Sequence, residues 1–262
     1  MAARNEERWR ATGRWDFGLS PEESAALARA RTGEVLHADR FTTVLRRGDV
    51  VLKHRAEPLF LRLRRIGRGS SLVREHDALL LLAGLGLKTV EPRGAAARLS
   101  GALVSEEILV TTFRDGLASL GYARREKRPV PRGVALPALR ALAADLRRVH
   151  DAGVRVGTLA DRNVLVGPGG EYALVDVGRA GRRGSVAGDL GLLDRGLSRA
   201  LTRTDRLRLL AAYAGGIEAA RPLVAPVTAA RERFEKRGPL RALSRQLNRW
   251  LRTRSILKNQ LR

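Results

Sequence analysis

The chain of 262 residues lacks cysteine altogether and has few aromatic residues, which make up 4% of it. Without cysteine it has neither disulfides nor thiolate metal ligands, which is typical of a protein from a reducing compartment. The four histidines are scattered along the chain and do not predict a transition-metal site. The shortage of aromatic side chains also leaves few platforms on which the bases of a nucleic acid stack.

A long hydrophobic run is also lacking. The most apolar stretch, ALLLLAGLGL at residues 78–87, is far shorter than a membrane span and contains two glycines. The first residues carry charges where a secretory signal has its apolar core, so we expect a soluble cytoplasmic protein. Hydrophobic residues nevertheless make up 44% of the chain, which is enough for a substantial core.

Acidic residues are scarce relative to basic ones: 27 Asp and Glu against 50 Lys and Arg give a net charge of +23. A field of this sign attracts polyanions such as anionic lipid headgroups, phosphorylated glycans and nucleic acids. A bias in the base composition of the gene explains the arginines equally well, because alanine, glycine and leucine are also abundant. Nucleic acid is the least favoured partner, since the sequence has no recognisable nucleic-acid module.

Periodicity in the first half of the chain predicts a mixture of helices and strands. A capping box that begins at Ser20 marks the start of a short helix. Two β-rich runs flank Gly48 and predict a hairpin, and residues 103–113 are typical of a further strand. Between them, leucines at helical spacing in SLVREHDALLLLAGLGL predict a helix that Gly84 or Gly86 stops, with Glu75 in its apolar stripe.

The second half is mainly helical in period. Residues 114–134 are polar, basic and proline-containing, which indicates a loop or linker. Apolar residues at helical spacing predict an amphipathic helix from Leu136 to Gly153. The runs NVLV and YALVDV, separated by GPGGE, predict a second hairpin, and helical periods resume at about residue 189.

A buried carboxylate in an apolar stripe needs a cation, because an unpaired charge is costly to bury. For Glu75 the natural candidate is Lys53, at the end of the strand run VVLK. In protein kinases a strand lysine paired with a helix glutamate positions the phosphates of ATP. By itself the pair is weak support for a kinase, since strand-end lysines and exposed helix glutamates are common.

The stretch VRVGTLADRNVLVGPGGEYALVDVGRA, residues 154–180, adds further matches in the same order. Kinases use a catalytic loop H-R-D-L-x-x-x-N and then a D-F-G segment, whose Asn and second Asp hold magnesium. Here Leu159 and Asn163 keep the register of the loop, and Asp176 stands at the Asp of D-F-G. The position of the catalytic Asp, however, is occupied by Thr158.

In these motifs the chain resembles the bacterial lipopolysaccharide core kinases, which phosphorylate heptose or 3-deoxy-manno-octulosonic acid. The resemblance runs from about Phe41 to Gly215 and includes the segments VVLKHR, REHDALLLLAGLGL, EEILVTTF and GDLGLLDRGL. It implies an α+β, two-lobed protein-kinase-like fold with a small β-rich N-lobe and a mainly helical C-lobe. The implied domains are an N-terminal helical extension (1–34), the N-lobe (35–113), the C-lobe (114–225) and a basic helical tail (226–262).

The resemblance also implies a binding site for ATP and Mg²⁺. Lys53 and Glu75 position the phosphates, and Asn163 and Asp176 are the metal ligands. Asp189 is implied to anchor the catalytic loop from below. The implied lining of the adenine pocket is Val110, Thr111 and Phe113. The implied acceptor of the phosphate is an anionic glycolipid or sugar of the cell envelope.

Thr158 puts catalysis in question, because a hydroxyl near neutral pH does not accept a proton as a carboxylate does. Asp161 is a weak candidate for the missing catalytic group, since on a kinase loop its side chain points away from the acceptor. Phosphoryl transfer depends mainly on positioning and charge neutralisation. Loss of the catalytic carboxylate is therefore expected to lower the rate without necessarily abolishing nucleotide binding.

Three functions therefore stay open. The first is a kinase-like protein with weak or lost transfer to an envelope sugar or glycolipid. The second is a nucleotide-binding pseudokinase that scaffolds or regulates envelope biogenesis. The third, ranked last, is a basic nucleic-acid-binding protein.

The basic tail after about residue 226 leaves two alternatives. One is a helix packed on the larger lobe. The other is an amphipathic segment on the anionic inner leaflet of the cytoplasmic membrane, which would make the protein peripheral there. The apolar side chains that would enter the leaflet are Phe234, Leu240, Leu247, Trp250, Leu251 and Ile256.

Overall fold

A computed structural model of the chain describes residues 8–12, 15, 18–63, 69–101 and 103–236. The molecule is an α+β structure, with an antiparallel sheet in its N-terminal region and mainly helices in its C-terminal region. The strands are β1 (Arg8–Thr12), β2 (Glu34–Ala38), β3 (Thr42–Arg47), β4 (Val50–Ala56), β5 (Pro92–Ser100), β6 (Leu103–Thr112), β7 (Ala118–Ser119), β8 (Val164–Val166) and β9 (Tyr172–Leu174). The helices are α1 (Pro21–Ala30), α2 (Leu59–Leu63), α3 (Ser71–Gly84), α4 (Leu120–Arg125), α5 (Arg132–Asp151), α6 (Val186–Leu197), α7 (Arg203–Ala214) and α8 (217–236).

The large sheet has the strand order β1-β5-β6-β4-β3-β2. Directly opposed residues of antiparallel strands share a face, so Lys53 lies on the same face as Val44 and Leu109. Helix α3 covers that face, and its buried leucines join Leu109 in the main hydrophobic core. The opposite face carries Leu52 and Val110 and packs against α1 in a smaller core.

The predicted helix α1 is confirmed together with its capping box. The Ser20 hydroxyl accepts from the Glu23 amide at 3.1 Å, and the Glu23 carboxylate accepts from the Ser20 amide at 2.7 Å. Helix α3 begins after Ser70, whose side chain caps it, and ends at Gly84, the first of the two glycines predicted to stop it. Helix α5 also forms, although it begins at Arg132, four residues before the predicted start.

The predicted hairpin after the catalytic loop is confirmed, because β8 pairs with β9 in antiparallel register. Residues 114–134, predicted as a loop, differ from the prediction, since they contain β7 and α4. The α4 helix forms where Ser119 caps its first turn and Gly121 packs directly on Arg162, where a Cβ would lie 2.7 Å away. Elements of two and six residues are too short to show a period in sequence.

The two ends of the described chain bear on the predicted domain limits. Strand β1 lies in the segment interpreted as an N-terminal extension, and it pairs with β5 at the edge of the large sheet. Helix α8 begins at residue 217, so it crosses the boundary placed at 226. Of the tail side chains expected at a membrane, Phe234 lies on α8, and the others fall outside the described residues. Within the described ranges, the helices are all too short or too polar to cross a membrane.

Candidate functional site

Three charged residues from distant parts of the chain meet between the sheet and the helical region. The Nζ of Lys53 on β4 donates to both carboxylate oxygens of Glu75 on α3, at 2.9 and 2.7 Å. The same Nζ donates to Asp176 Oδ1 at 3.1 Å, shortly after β9. The Glu75 side chain is only 7% exposed, whereas that of Asp176 is 51% exposed. The predicted ion pair of Lys53 and Glu75 is confirmed.

The electrostatics of this cluster favour a charged lysine. Burial works to lower the pKa of Lys53, but the carboxylates of Glu75 and Asp176 outweigh burial and raise that pKa above its ordinary value. Burial raises the pKa of Glu75, and the charge of Lys53 offsets part of that rise. With all three groups ionised, two carboxylates face one ammonium, and a further cation beside the exposed Asp176 is favourable.

The backbone of Asp176 lies in the left-handed region, with φ of 56°. Aspartate tolerates this region better than most side chains, and such backbone strain concentrates at functional sites. Two residues on, Gly178 passes close to α3, where an added Cβ would lie 3.3 Å from the Cβ of Glu75. Glycine therefore allows the 176–178 segment to approach the helix that carries the ion pair.

Thr158 and Asn163 tie the segment between them to the backbone of Asp176. The Thr158 hydroxyl donates to the carbonyl oxygen of Asp176 at 2.8 Å. The Asn163 side-chain amide donates to the carbonyl of Thr158 at 2.8 Å and to that of Asp176 at 3.4 Å. This orientation turns the amide oxygen of Asn163 away from those carbonyls, so that this oxygen is the atom of Asn163 suited to a metal.

Asp189, near the start of α6, holds the same loop from below. Its buried carboxylate accepts from the amides of Val156 at 2.7 Å and Gly157 at 2.8 Å. His150 Nε2 lies 3.2 Å from the carboxylate, and His150 Nδ1 lies 2.9 Å from the hydroxyl of Tyr213. Asp189 thus occupies the anchoring position that the resemblance implied. The contacts by which His150 and Tyr213 support Asp189 were not predicted from the sequence and are seen only in the structure.

Asp161 is directed to a different part of the molecule. Its carboxylate lies 2.8 Å from Arg124 Nη2 of α4, and its side chain is 13% exposed. It also packs against Gly196 of α6, where an added Cβ would lie 2.6 Å from the Cβ of Asp161. Its carboxylate is therefore engaged by Arg124, whereas Lys53 bonds to Glu75 and Asp176.

The positions expected to line an adenine pocket divide between the two faces of the sheet. Val110 is fully buried in the smaller core, on the α1 face, so its side chain faces away from Lys53. Thr111 opposes Val51, two residues before Lys53, and therefore lies on the face of the lysine.

Phe113 follows the end of β6 and stacks with an arginine. The guanidinium of Arg46 lies 3.7 Å from the centre of the Phe113 ring. The Phe113 amide donates to the carbonyl of Asp49 at 2.6 Å, so this amide is already bonded within the protein. A flat ring bound beside Thr111 would therefore lie next to this cation–π pair.

Glu107 on β6 is a structural residue that sequence reasoning missed. Its buried carboxylate accepts from the hydroxyls of Ser70 and Ser71, each at 2.6 Å, and from the amides of Ser71 at 2.6 Å and Leu72 at 3.0 Å. Burial works to raise the pKa of Glu107, but these hydrogen bonds outweigh burial and lower that pKa. Glu107 fixes the start of α3 against the sheet and so helps to hold Glu75 opposite Lys53. The sequence did contain a signal for a buried glutamate. Side chains alternate between the two faces of a strand, so one of the adjacent Glu106 and Glu107 in EEILV must point inward.

The donor chemistry of the site suits magnesium. The described part of the chain contains no group of three or more His, Asp or Glu side chains that could hold a metal by itself. Magnesium does not need such a group, because it usually binds one or two carboxylates together with phosphate oxygens and water. The exposed carboxylate of Asp176 and the amide oxygen of the buried Asn163 are ligand types that fit that pattern.

No protein-family model matches the chain, and no curated protein sequence matches it significantly.

Proposed function

We propose that the chain is a protein-kinase-like protein that binds Mg-ATP beside Lys53 and Asp176, with phosphotransfer weak or lost. The observation that carries the proposal is the simultaneous bonding of Lys53 Nζ to Glu75 and to Asp176. Protein kinases use a strand lysine, a helix glutamate and a metal-binding aspartate in this chain order and arrangement. Lysine and aspartate lie 123 residues apart in sequence, so a chance meeting is a poor explanation.

Each residue of the cluster has a part in holding the nucleotide. Lys53 donates to phosphate oxygens, and Glu75 holds the ammonium in place from the buried side. Asp176 and the amide oxygen of Asn163 hold Mg²⁺. The metal, when bound, neutralises the charge that the phosphates carry. Thr111 and the end of β6 lie on the side of the sheet where the base is expected.

Weak or absent transfer follows from the bonding of Thr158. Its hydroxyl is not basic near neutral pH, and it donates its proton to the carbonyl of Asp176. The residue therefore holds the metal-binding segment in place and does not activate an acceptor. Asp161 would have to give up its ion pair with Arg124 before it could replace the missing carboxylate.

The acceptor that we propose is an anionic sugar or glycolipid of the cell envelope. The resemblance to lipopolysaccharide core kinases supports this acceptor. Arg179, Arg182 and Arg183 add support, because they are exposed and follow Asp176 closely in the chain. Arginine binds phosphate and carboxylate groups bidentately, which suits a phosphorylated or acidic sugar. The second candidate, a pseudokinase that regulates envelope biogenesis, is favoured by Thr158.

The first test is the thermal unfolding midpoint with and without Mg-ATP. Ligand that binds only the native state raises stability by about 2.7 kcal/mol at a concentration of about 100 times its Kd. We expect the wild type to shift and Asp176→Asn not to shift, because asparagine keeps the left-handed backbone but loses the carboxylate. Asp151→Asn is the matched control, since Asp151 lies exposed on α5, and it should shift like the wild type. Equal shifts in all three proteins would overturn the proposal.

The second test separates slow kinase from pseudokinase. ADP release is measured for the wild type and for Thr158→Asp, with purified lipopolysaccharide as the acceptor probe. General-base catalysis contributes about 10²–10⁴-fold, so Thr158→Asp should release ADP at least about 100-fold faster than the wild type if the rest of the site is competent. A wild type as fast as the variant would show that Thr158 does not limit catalysis. A variant that binds Mg-ATP and still releases no ADP would favour the pseudokinase.

A further inference from the structure

A cavity that is partly open to solvent lies in the helical region, apart from the Lys53 cluster. It has a volume of about 320 Å³ and lies among α5, α6, α7 and α8. Protein interiors are close-packed and rarely contain voids much larger than a water molecule. Sites for small ligands begin at about 300 Å³, so this cavity has the size of a small binding site.

The walls of the cavity are mostly aliphatic. Helices α5 and α6 contribute leucines, α7 contributes leucines and Tyr213, and α8 contributes two valines. Such walls offer few partners for a polar ligand such as a sugar or a nucleotide, whose buried groups would lose their hydrogen bonds to water. The aliphatic lining residues that the argument uses are Leu139, Leu146, Leu193, Leu209, Val224 and Val227.

One side of the cavity is polar and carries excess positive charge. Asp194 accepts from Arg206 Nη1 at 2.7 and 2.8 Å and from Arg231 Nη1 at 3.3 Å. Arg203 also lines the cavity, so three guanidinium groups face one carboxylate in its lining. Glu235 is the further acidic neighbour, and it lies 3.7 Å from Arg231 Nε.

Two of these arginines have unused donors. Within the described part of the chain, the buried Nε atoms of Arg206 and Arg231 have no hydrogen-bond partner. A buried donor without a partner is unfavourable, and a carboxylate oxygen is the acceptor that a guanidinium binds best. The polar side therefore suits the anionic end of a ligand.

We infer that this cavity binds a free fatty acid, with its acyl chain between the four helices and its carboxylate at Arg206 and Arg231. An apolar chain with one anionic head matches both parts of the lining. The basic tail of this chain is a poorer occupant, because residues 237–262 hold eight basic side chains and no acidic one. Its charges would meet three arginines of the same sign.

The test is a calorimetric titration of the full-length protein with laurate, kept below its micelle concentration. Dodecyltrimethylammonium has a chain of the same length and a cationic head, and it serves as the comparison ligand. We expect one laurate bound per chain and at least about tenfold weaker binding of the cationic ligand, since arginine would repel it. Equal binding of the two would overturn the assignment of the carboxylate to the arginines.

Three variants test where the acyl chain and the carboxylate of laurate bind. Val227→Phe fills the cavity from α8 and should abolish laurate binding, and Val224→Phe repeats the test if the first variant fails to fold. Arg231→Gln should weaken binding about tenfold or more through the lost charged hydrogen bond. Arg233→Gln is the matched control on the same helix, where the side chain is exposed and bonds to the Ala229 carbonyl, and it should bind laurate like the wild type.

Two further results would overturn the inference. One is undiminished laurate binding by folded Val227→Phe and Val224→Phe. The other is laurate binding by a variant that ends at Lys236 but not by the full-length protein. That result would show that the tail occupies the cavity. Because the cavity and the Lys53 cluster share no residue, the Mg-ATP shift of each variant shows separately whether the nucleotide site is intact.

Discussion

At the scale of single residues, the backbone around the site depends on two positions in the left-handed region. Asp176 has φ of 56° and Gly157 has φ of 71°, and the two are joined through Thr158, which follows Gly157 and bonds to the Asp176 carbonyl. Gly157 also lies close to the next segment, where an added Cβ would be 2.9 Å from the carbonyl oxygen of Arg179. The conformation that presents Asp176 therefore rests on a tight local fit.

Gly157→Ala tests that fit, with Gly153→Ala as the matched control. Both glycines have positive φ, but a Cβ at Gly153 meets no atom within 4 Å. We expect Gly153→Ala to lower the free energy of unfolding by about 1 kcal/mol through backbone strain alone. Gly157→Ala should cost about 1–3 kcal/mol more, because the methyl group overlaps the Arg179 carbonyl. Urea unfolding measures both, and equal losses would show that the contact with Arg179 is unimportant.

Charged side chains of the site were predictable from sequence where burial required a partner. Glu75 lies in an apolar stripe, and a buried carboxylate needs a cation, so the pair with Lys53 could be predicted. The bond of Thr158 to the Asp176 carbonyl could not be predicted, because any backbone carbonyl nearby can accept from a hydroxyl. Glu107 was missed because the groups that it accepts from at the start of α3 are amides and hydroxyls, which many positions in a sequence offer. Its charged neighbour, Arg55, lies on a different strand with its guanidinium 4.0 Å from the carboxylate.

At the scale of elements, the position of α3 decides whether Glu75 reaches Lys53. The helix is fixed at its start by Glu107 of β6 and along its length by packing on the Leu109 face of the sheet. A carboxylate at a helix start also interacts favourably with the helix dipole. The Lys53–Glu75 pair thus depends on the contacts that fix α3 against the sheet.

Glu107→Gln tests this attachment through its pH dependence. The pKa of Glu107 is lowered in the native state below its ordinary value of 4.5. Its ionised form therefore stabilises the fold fully above about pH 4.5, and this contribution is lost as the pH falls through the native pKa. We expect Glu107→Gln to lower the free energy of unfolding at pH 7 by about 1–3 kcal/mol. Below pH 4.5 the wild type should lose stability more steeply than the variant.

A surface carboxylate provides the control for that series. Glu218 is exposed and forms only a surface ion pair with Arg221 on α8, so Glu218→Gln should follow the wild type at every pH. If Glu107→Gln unfolds along the same pH curve as the wild type, Glu107 does not hold α3 through its charge. Chemical denaturation between pH 3 and pH 8, monitored by circular dichroism, gives the curves.

Elements were predictable from sequence when they had a period or a cap. Helices α1 and α3 have both, and each begins where predicted. Strand β2 was missed because all five of its residues are exposed, so it shows no alternation of apolar and polar side chains. Strand β1 and helix α4 are short, and both are held by tertiary neighbours, β5 for the strand and the turn around Arg162 for the helix.

At the scale of the whole molecule, positive charge is the dominant property. Residues 237–262 account for eight of the net +23 charges, which leaves +15 on the rest of the chain. A field of this sign attracts anionic surfaces, and the attraction falls as salt screens the charges. The tail then either adds a membrane anchor or packs on the helical region, and the two alternatives predict different effects of its removal.

Removal of residues 237–262 should weaken binding to vesicles that contain phosphatidylglycerol, because each basic residue near an anionic surface contributes about 1 kcal/mol. We expect the full-length protein to sediment with these vesicles at low salt, to detach from them at high salt, and not to bind phosphatidylcholine vesicles. The shortened chain should bind at least about tenfold more weakly. Its unfolding midpoint and its Mg-ATP shift should equal those of the full-length protein, because the shortened chain keeps Lys53, Glu75 and Asp176. Unchanged vesicle binding with a lowered midpoint would instead show that the tail packs on the helical region, since only a segment with contacts in the fold stabilises it.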